Sequence, residues 1–313
     1  MRRKHATVTF VIFFVCFAIA MPALQAQEKC SLKTFAGTYV SFEKGSSVTI
    51  DLLSTGVVSP APGAQPRPPA WLAPGIVPFA DIAMVTYTPE GIGDGYFWMF
   101  EGSTRATLEP IPIHVVVTEI NGDCTGKFQY SRNDGTVIEE RFILFDNGRQ
   151  YRSIPTLISS PGIPTLSWIG NGKRISQGSA PVRFCGPQTA HGRYLLACEN
   201  IQKTVPYPTK AVADSFLLNM DVSMSGDYTG MLYEKFGMTS IDGRATVGMV
   251  DVNPDCSFGS TINMAGIAGT YEVRGAFFDE GKGLYAMGIL NSSQPSDKQG
   301  IQYSFCQGTR IGE

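Results

Sequence analysis

The stretch CGPQTAHGRY, Cys185–Tyr194, repeats the pattern of CSLKTFAGTY, Cys30–Tyr39: each reads Cys-x-x-x-Thr-x-x-Gly-x-Tyr. Further matches follow in the same order. ADIAMV from Ala80 aligns with ADSFLL from Ala213, which sets Gly93-Asp94 on Gly226-Asp227 and Glu101 on Glu234. VTEINGDC ending at Cys124 aligns with GMVDVNPDC ending at Cys256, FDNG from Phe145 with FDEG from Phe278, and GNGKRI ending at Ile175 with CQGTRI ending at Ile311. Ordered matches with short insertions between them mark an internal duplication. The boundary lies near residues 177–184, which predicts one domain over 27–178 and a second over 179–313.

Each half reads as strands. Runs such as TYVSF, IHVVVTEI and IEERFILF, or SFLLNMDV, RATVGMVDV and GLYAMGIL, are short and either alternating or apolar. DG, NG and SG pairs separate the runs, as hairpins require. Seven or eight strands in about 140 residues predict an all-β fold, a closed up-and-down barrel or a sandwich, twice in tandem. The halves differ mainly in one loop. Residues 59–78, SPAPGAQPRPPAWLAPGIVP, carry seven prolines, which exclude helix and central strand. The segment reads as an extended surface insertion, with a lid as the functional alternative.

Gly37 and Tyr39 open the first strand of half one, and Arg174 ends its last strand; Gly192, Tyr194 and Arg310 repeat the arrangement. This resembles the calycin (lipocalin-type) signature, in which Gly-x-Trp on the first strand packs under an arginine from the last, here with Tyr for Trp. The same motif followed by DCTG, Asp123–Gly126, is similar to the allene-oxide-cyclase-like barrels; the second copy, DCSFG from Asp255, has one inserted residue. The resemblance implies two tandem calycin-like barrels closed by Tyr39 with Arg174 and Tyr194 with Arg310, an aromatic face stacked on a guanidinium.

The chain opens MRRKHATVTFVIFFVCFAIAMPALQAQ. A basic start, an apolar run over 8–20 and small residues near Ala26 predict a secretory signal peptide over 1–26. An uncleaved anchor is the alternative, but the run is short for a span of about 20 residues and Pro22 follows it. The protein is therefore expected to be secreted, periplasmic or on the cell surface. Cys16 leaves with the signal, and the remaining six cysteines suit disulfides. If Tyr194 stands opposite Arg310 in an antiparallel pair, Cys198 stands opposite Cys306 on the same side. The half-one counterparts are Glu43 and Gly170, so both cysteines are missing there together. Equivalence of the halves then pairs Cys30 with Cys124 and Cys185 with Cys256. A metal site is the rival reading, but no Cys-x-x-Cys or His-rich spacing supports it.

Chemistry is harder to find. A formal charge of −2 excludes a broad nucleic-acid-binding surface. His114 and His191 fall on Thr246 and Ala36 of the other copy, and no nucleophile elbow, zinc-protease motif or phosphate loop is present. No catalytic residue, cofactor or metal site is assigned. Candidates to line a pocket are Tyr96, Trp98, Phe100 and Glu101 in half one and Met231, Tyr233 and Glu234 in half two. Core packing and solvated strand ends are the structural alternatives. Asp94 and Asp227 read as turn caps. Three functions stand: a non-enzymatic binder of a small apolar molecule, a surface or scaffolding protein with filled barrels and a protein partner, and a cyclase or isomerase as the resemblance implies. An inward carboxylate in a dry pocket favours the last.

Overall fold

The computed structural model describes residues 30–48, 76–101, 105–131, 137–159, 165–177, 185–202, 212–236, 239–265, 270–291 and 302–312. The expected signal peptide over 1–26, most of the proline-rich insertion and all but the first residue of the expected boundary near 177–184 lie outside them.

Sixteen strands form two closed antiparallel barrels, each joining strands in chain order and its first strand to its last. Barrel 1 comprises β1 (Gly37–Val48), β2 (Ile76–Tyr87), β3 (Ile92–Glu101), β4 (Arg105–Ile120), β5 (Thr125–Ser131), β6 (Val137–Phe145), β7 (Gln150–Ser159) and β8 (Thr165–Gln177). Barrel 2 comprises β9 (Gly192–Gln202), β10 (Val212–Val222), β11 (Asp227–Phe236), β12 (Thr239–Val252), β13 (Ser257–Met264), β14 (Thr270–Phe278), β15 (Gly283–Asn291) and β16 (Gln302–Gly312). The proline-rich insertion is shorter than expected, because residues 76–78 already belong to β2. Pro78 pairs with Ser46 of β1, while the ladder to β3 begins only at Phe79, so the proline sits at a strand end facing one partner.

One-turn helices plug one end of each barrel: α1 (Leu32–Phe35), capped by Ser31, and α2 (Pro187–Ala190). Phe35 is fully buried and stacks on Tyr39 at 5.1 Å and on Phe142 at 5.0 Å. Tyr39 lies opposite Arg174 and Tyr194 opposite Arg310. In barrel 1 Phe35 covers one face of Tyr39, and in both barrels the closing tyrosine hydrogen bonds to a turn carbonyl. The Tyr39 hydroxyl donates to the Gly148 carbonyl, and that of Tyr194 to Gly281 at 2.8 Å. Arg174 donates to the carbonyls of Thr34 at 3.0 Å and Asn147 at 3.4 Å. Burial pushes both phenols up to about 12 against the pull of the neighbouring arginine. Gly37 has φ of +141° and a Cβ there would lie 2.9 Å from Arg174 Cδ, so the arginine stem needs a residue without a side chain beneath it.

Three disulfides form, joining Cys30 to Cys124, Cys185 to Cys256 and Cys198 to Cys306. The first two tie the segment before each plug to a β-turn. The third crosses the β9–β16 pairing, in the register that also sets Glu43 opposite Gly170. Elsewhere the alignment of the halves shifts by two residues. Gly91 and Gly226 share the left-handed turn, each accepting from the valine of the next strand but one, Val117 and Val250. Glu234 therefore takes the place of Met99, and Glu101 and Glu234 are not equivalent.

The barrels pack through their outer faces. Val40, Ile82, Met84 and Trp98 of β1–β3 meet Ala276, Phe278, Tyr285, Met287 and Phe305 of β14–β16 in one buried cluster. Phe42 stacks on Tyr285 at 5.5 Å, Lys173 lies 4.5 Å over the Phe278 ring, and the Tyr96 hydroxyl donates to Asp255 at 2.6 Å. These strands are apolar on both faces because one face lines a barrel and the other meets its neighbour; hence Ala276-Phe277-Phe278 has no alternation. Replacing both Cys198 and Cys306 with alanine is expected to destabilise barrel 2 by about 4–5 kcal/mol, since the bridge closes a long loop. Denaturant unfolding of the double variant measures it.

Candidate functional site

In an eight-stranded barrel, residues two apart along each strand share the interior. On β1 that phase runs Tyr39, Ser41, Glu43; on β2 it runs Asp81, Ala83, Val85, Tyr87; on β6 it runs Ile138, Glu140, Phe142, Leu144. Three carboxyl groups therefore enter the interior of barrel 1. Glu43 is 6% exposed, Asp81 7% and Glu140 0%. Glu43 and Asp81 line a cavity of about 30 Å³, walled by Tyr87, Phe97, Met99, Phe128, Tyr130, Tyr151 and Trp168 among others, and Glu140 stands behind Tyr130 and Trp168 in that wall. This volume holds about two water molecules or one small polar group.

Glu43 and Asp81 face each other across β1 and β2, and their carboxyl groups hydrogen bond. Such a bond needs a proton between them. Burial raises the Glu43 pKa well above the carboxylate range, and the charges of Asp81 and Glu140 push it further. Glu140 lies one layer deeper. Its Oε1 accepts from the Tyr130 hydroxyl at 3.1 Å and from Trp168 Nε1 at 3.2 Å. Its Oε2 is fully buried without a hydrogen-bond partner among the described residues. Burial raises Glu140 to about 7, against the opposing pull of Ser153, Tyr130 and Trp168. No lysine, arginine or histidine is buried among the described residues. Nor do three or more His, Cys, Asp or Glu side chains there cluster as a metal site would need.

Barrel 2 lacks all of this. Matching the registers, Cys198 stands for Glu43, Phe216 for Asp81, Ile262 for Tyr130, Val273 for Glu140, Ala286 for Ser153 and Ser304 for Trp168. Five of six polar interior positions have become apolar or disulfide-bonded, and that interior is packed with Leu196, Leu218, Met220, Leu232, Phe258 and Phe277.

The pocket candidates from sequence fall elsewhere. Tyr96 and Trp98 point out of barrel 1 into the inter-barrel contact. The phase was ambiguous because Phe97 and Met99 are apolar too, and these two face inward. Met231 and Tyr233 lie on the outside of barrel 2, 38% and 45% exposed. The side chains of Phe100, Glu101 and Glu234 lie outside the described residues. His114 pairs with Asp94 at 2.7 Å on the barrel exterior, and His191 ends α2. The acidic cluster went unflagged, although each carboxylate sits at the apolar phase of its strand, and that is the signal that finds it.

No protein-family model matches the chain, and no curated protein matches it. Among solved structures, a protein of unknown function from the DUF3598 family of Nostoc punctiforme is 9% identical, with 90% of this chain and 100% of that chain covered at a TM-score of 0.27. A putative AttH from Nitrosomonas europaea is 9% identical, with 92% and 97% covered at 0.27. Intact Ap-TbpB, with its N and C lobes, is 7% identical, with 88% and 77% covered at 0.28. The fold rests on the strand pairings themselves.

A raised carboxyl pKa means that the folded state holds its proton more tightly than the unfolded chain. The stabilisation is complete below the ordinary value and is lost as pH rises through about 7 for Glu140. Barrel 1 is thus expected to lose on the order of 3 kcal/mol between mildly acidic and mildly alkaline pH. Thermal unfolding across that range should show the slope in the native protein and a flatter one in Glu140→Gln.

Proposed function

We propose that barrel 1 binds a small alkylamine through its cationic head, and that barrel 2 is its filled support. One observation carries this reading: Glu43, Asp81 and Glu140 are buried together in one repeat and are replaced by Cys198, Phe216 and Val273 in the other. Buried carboxylates are costly unless paired, and no buried cation accompanies Glu43 or Glu140 among the described residues. An ammonium group matches the cavity in size, restores the ionised form of the acids and meets the faces of Tyr130 and Trp168. The apolar walls and the small volume leave room for only about one or two carbons beside it, which narrows the apolar-ligand expectation to a small alkylamine. The three disulfides support export from the cytosol, where the signal segment is proposed to direct the chain.

Calorimetric titration at mildly alkaline pH with methylamine and with its neutral analogue methanol tests the reading. The amine is expected to bind at least about ten-fold more tightly, the difference one charge-assisted hydrogen bond supplies. Its affinity should fall as pH drops through about 7, because Glu140 then holds its own proton. Ala83→Leu installs the residue that barrel 2 carries at that place, Leu218, and is expected to abolish binding without unfolding the barrel. Equal affinity for both probes removes the cationic head, and no binding by either removes the site. A second reading, the cyclase or isomerase, draws on the Glu43 carboxyl held protonated beside an apolar wall, a suitable general acid. Conversion of a candidate substrate that is lost in Glu43→Gln would favour it.

A further inference from the structure

The contact between the barrels is head to tail: β1–β3 of one repeat meet β14–β16, which are strands six to eight of the other. Each molecule therefore keeps one further copy of both surfaces, β6–β8 on barrel 1 and β9–β11 on barrel 2, the latter meeting barrel 1 at its edge where Glu199 pairs with Lys44. Both further copies are apolar at most of the contact positions, with Asn219 at the place of Met84 and Arg152 at that of Tyr285. Ile143, Phe145, Ile154 and Ile169 occupy the places of Ala276, Phe278, Met287 and Phe305. Leu195, Leu217, Met231 and Tyr233 occupy the places of Val40, Ile82, Tyr96 and Trp98. All eight are exposed, among them Ile169 at 58%, Ile154 at 50% and Leu217 at 47%. Scattered surface hydrophobics need no explanation, but two groups falling on the same register as a formed interface do.

We propose that copies of this chain associate head to tail, the β6–β8 face of barrel 1 in one copy docking on the β9–β11 face of barrel 2 in the next through the contact that joins the barrels within each chain. The charges suit this partner. Arg141 and Arg152 stand exposed on the first face, while on the second Glu199 and Asp221 stand exposed in ion pairs with Lys44 and Arg193 that an incoming arginine would share. A heterologous contact of this kind propagates into a ring if its rotation closes and into a filament if it does not. The intermolecular version is weaker than the internal one. The Phe42–Tyr285 stack becomes Ala197 against Arg152, and the tether that holds the barrels together is lost.

Sedimentation of the oxidised full chain over a concentration series up to about 0.5 mM, near the effective concentration a tether provides, tests the proposal. The native protein is expected to gain mass beyond the dimer as concentration rises. Ile154→Glu with Ile169→Glu blocks one face, and Leu217→Glu with Tyr233→Glu blocks the other. Each doubly substituted chain should sediment as a monomer, while an equimolar mixture of the two should form a dimer and stop there. Circular dichroism confirms that these exposed substitutions leave the barrels folded. A native protein that stays monomeric throughout overturns the proposal, as does a blocked variant that associates like the native chain or a mixture that stays monomeric.

Discussion

Closure of the first strand on the last is the constraint from which the rest follows. A barrel of eight strands has no edge, so a single register at the closing pair assigns every side chain to the interior or the exterior. Here that register is pinned where Tyr39 meets Arg174 and Tyr194 meets Arg310. Both tyrosines reach past the strand end to a carbonyl in the left-handed turn after strand six, at Gly148 and Gly281. One hydrogen bond thus couples the closing strand, the plug and a turn far away in sequence.

Because the frame is shared, the two interiors have been free to diverge. Barrel 2 follows the ordinary course of a stable core: apolar side chains interlock and a disulfide replaces a carboxylate. Barrel 1 keeps a group of acids that cost stability in their ionised form. These acids are held against that cost next to free volume, and this contrast between the repeats is what the proposed binding role rests on.

Much of the architecture was legible in the chain. Repeat and strand count follow from spacing; the closure residues came from the resemblance to the calycin signature, and the Cys198–Cys306 pairing from setting Tyr194 opposite Arg310, since a two-residue period carries register directly. The pocket was less so. Along Tyr96–Met99 both phases are apolar, and only the presence of the second barrel explains why Tyr96 and Trp98 belong outside. The wish to match Glu101 with Glu234 depended on an alignment that the turns at Gly91 and Gly226 shift by two residues. Glu140 was readable from Ile138, Phe142 and Leu144 on either side of it, but its meaning depends on Glu43 and Asp81, brought near only by the closed sheet.

The placement of the third disulfide has a kinetic side. In barrel 2 the first and last strands are riveted together by Cys198 and Cys306. Barrel 1 joins the same strands by hydrogen bonds alone, and its next seam, β7 to β8, pairs only Gln150–Ser153 with residues 170–173 among the described residues. Breathing motions that part such seams have a low cost where few ladder bonds must break together. Barrel 1 thus carries the seam with the fewest ladder bonds to break at once, and barrel 2 the closing seam that a covalent bolt holds.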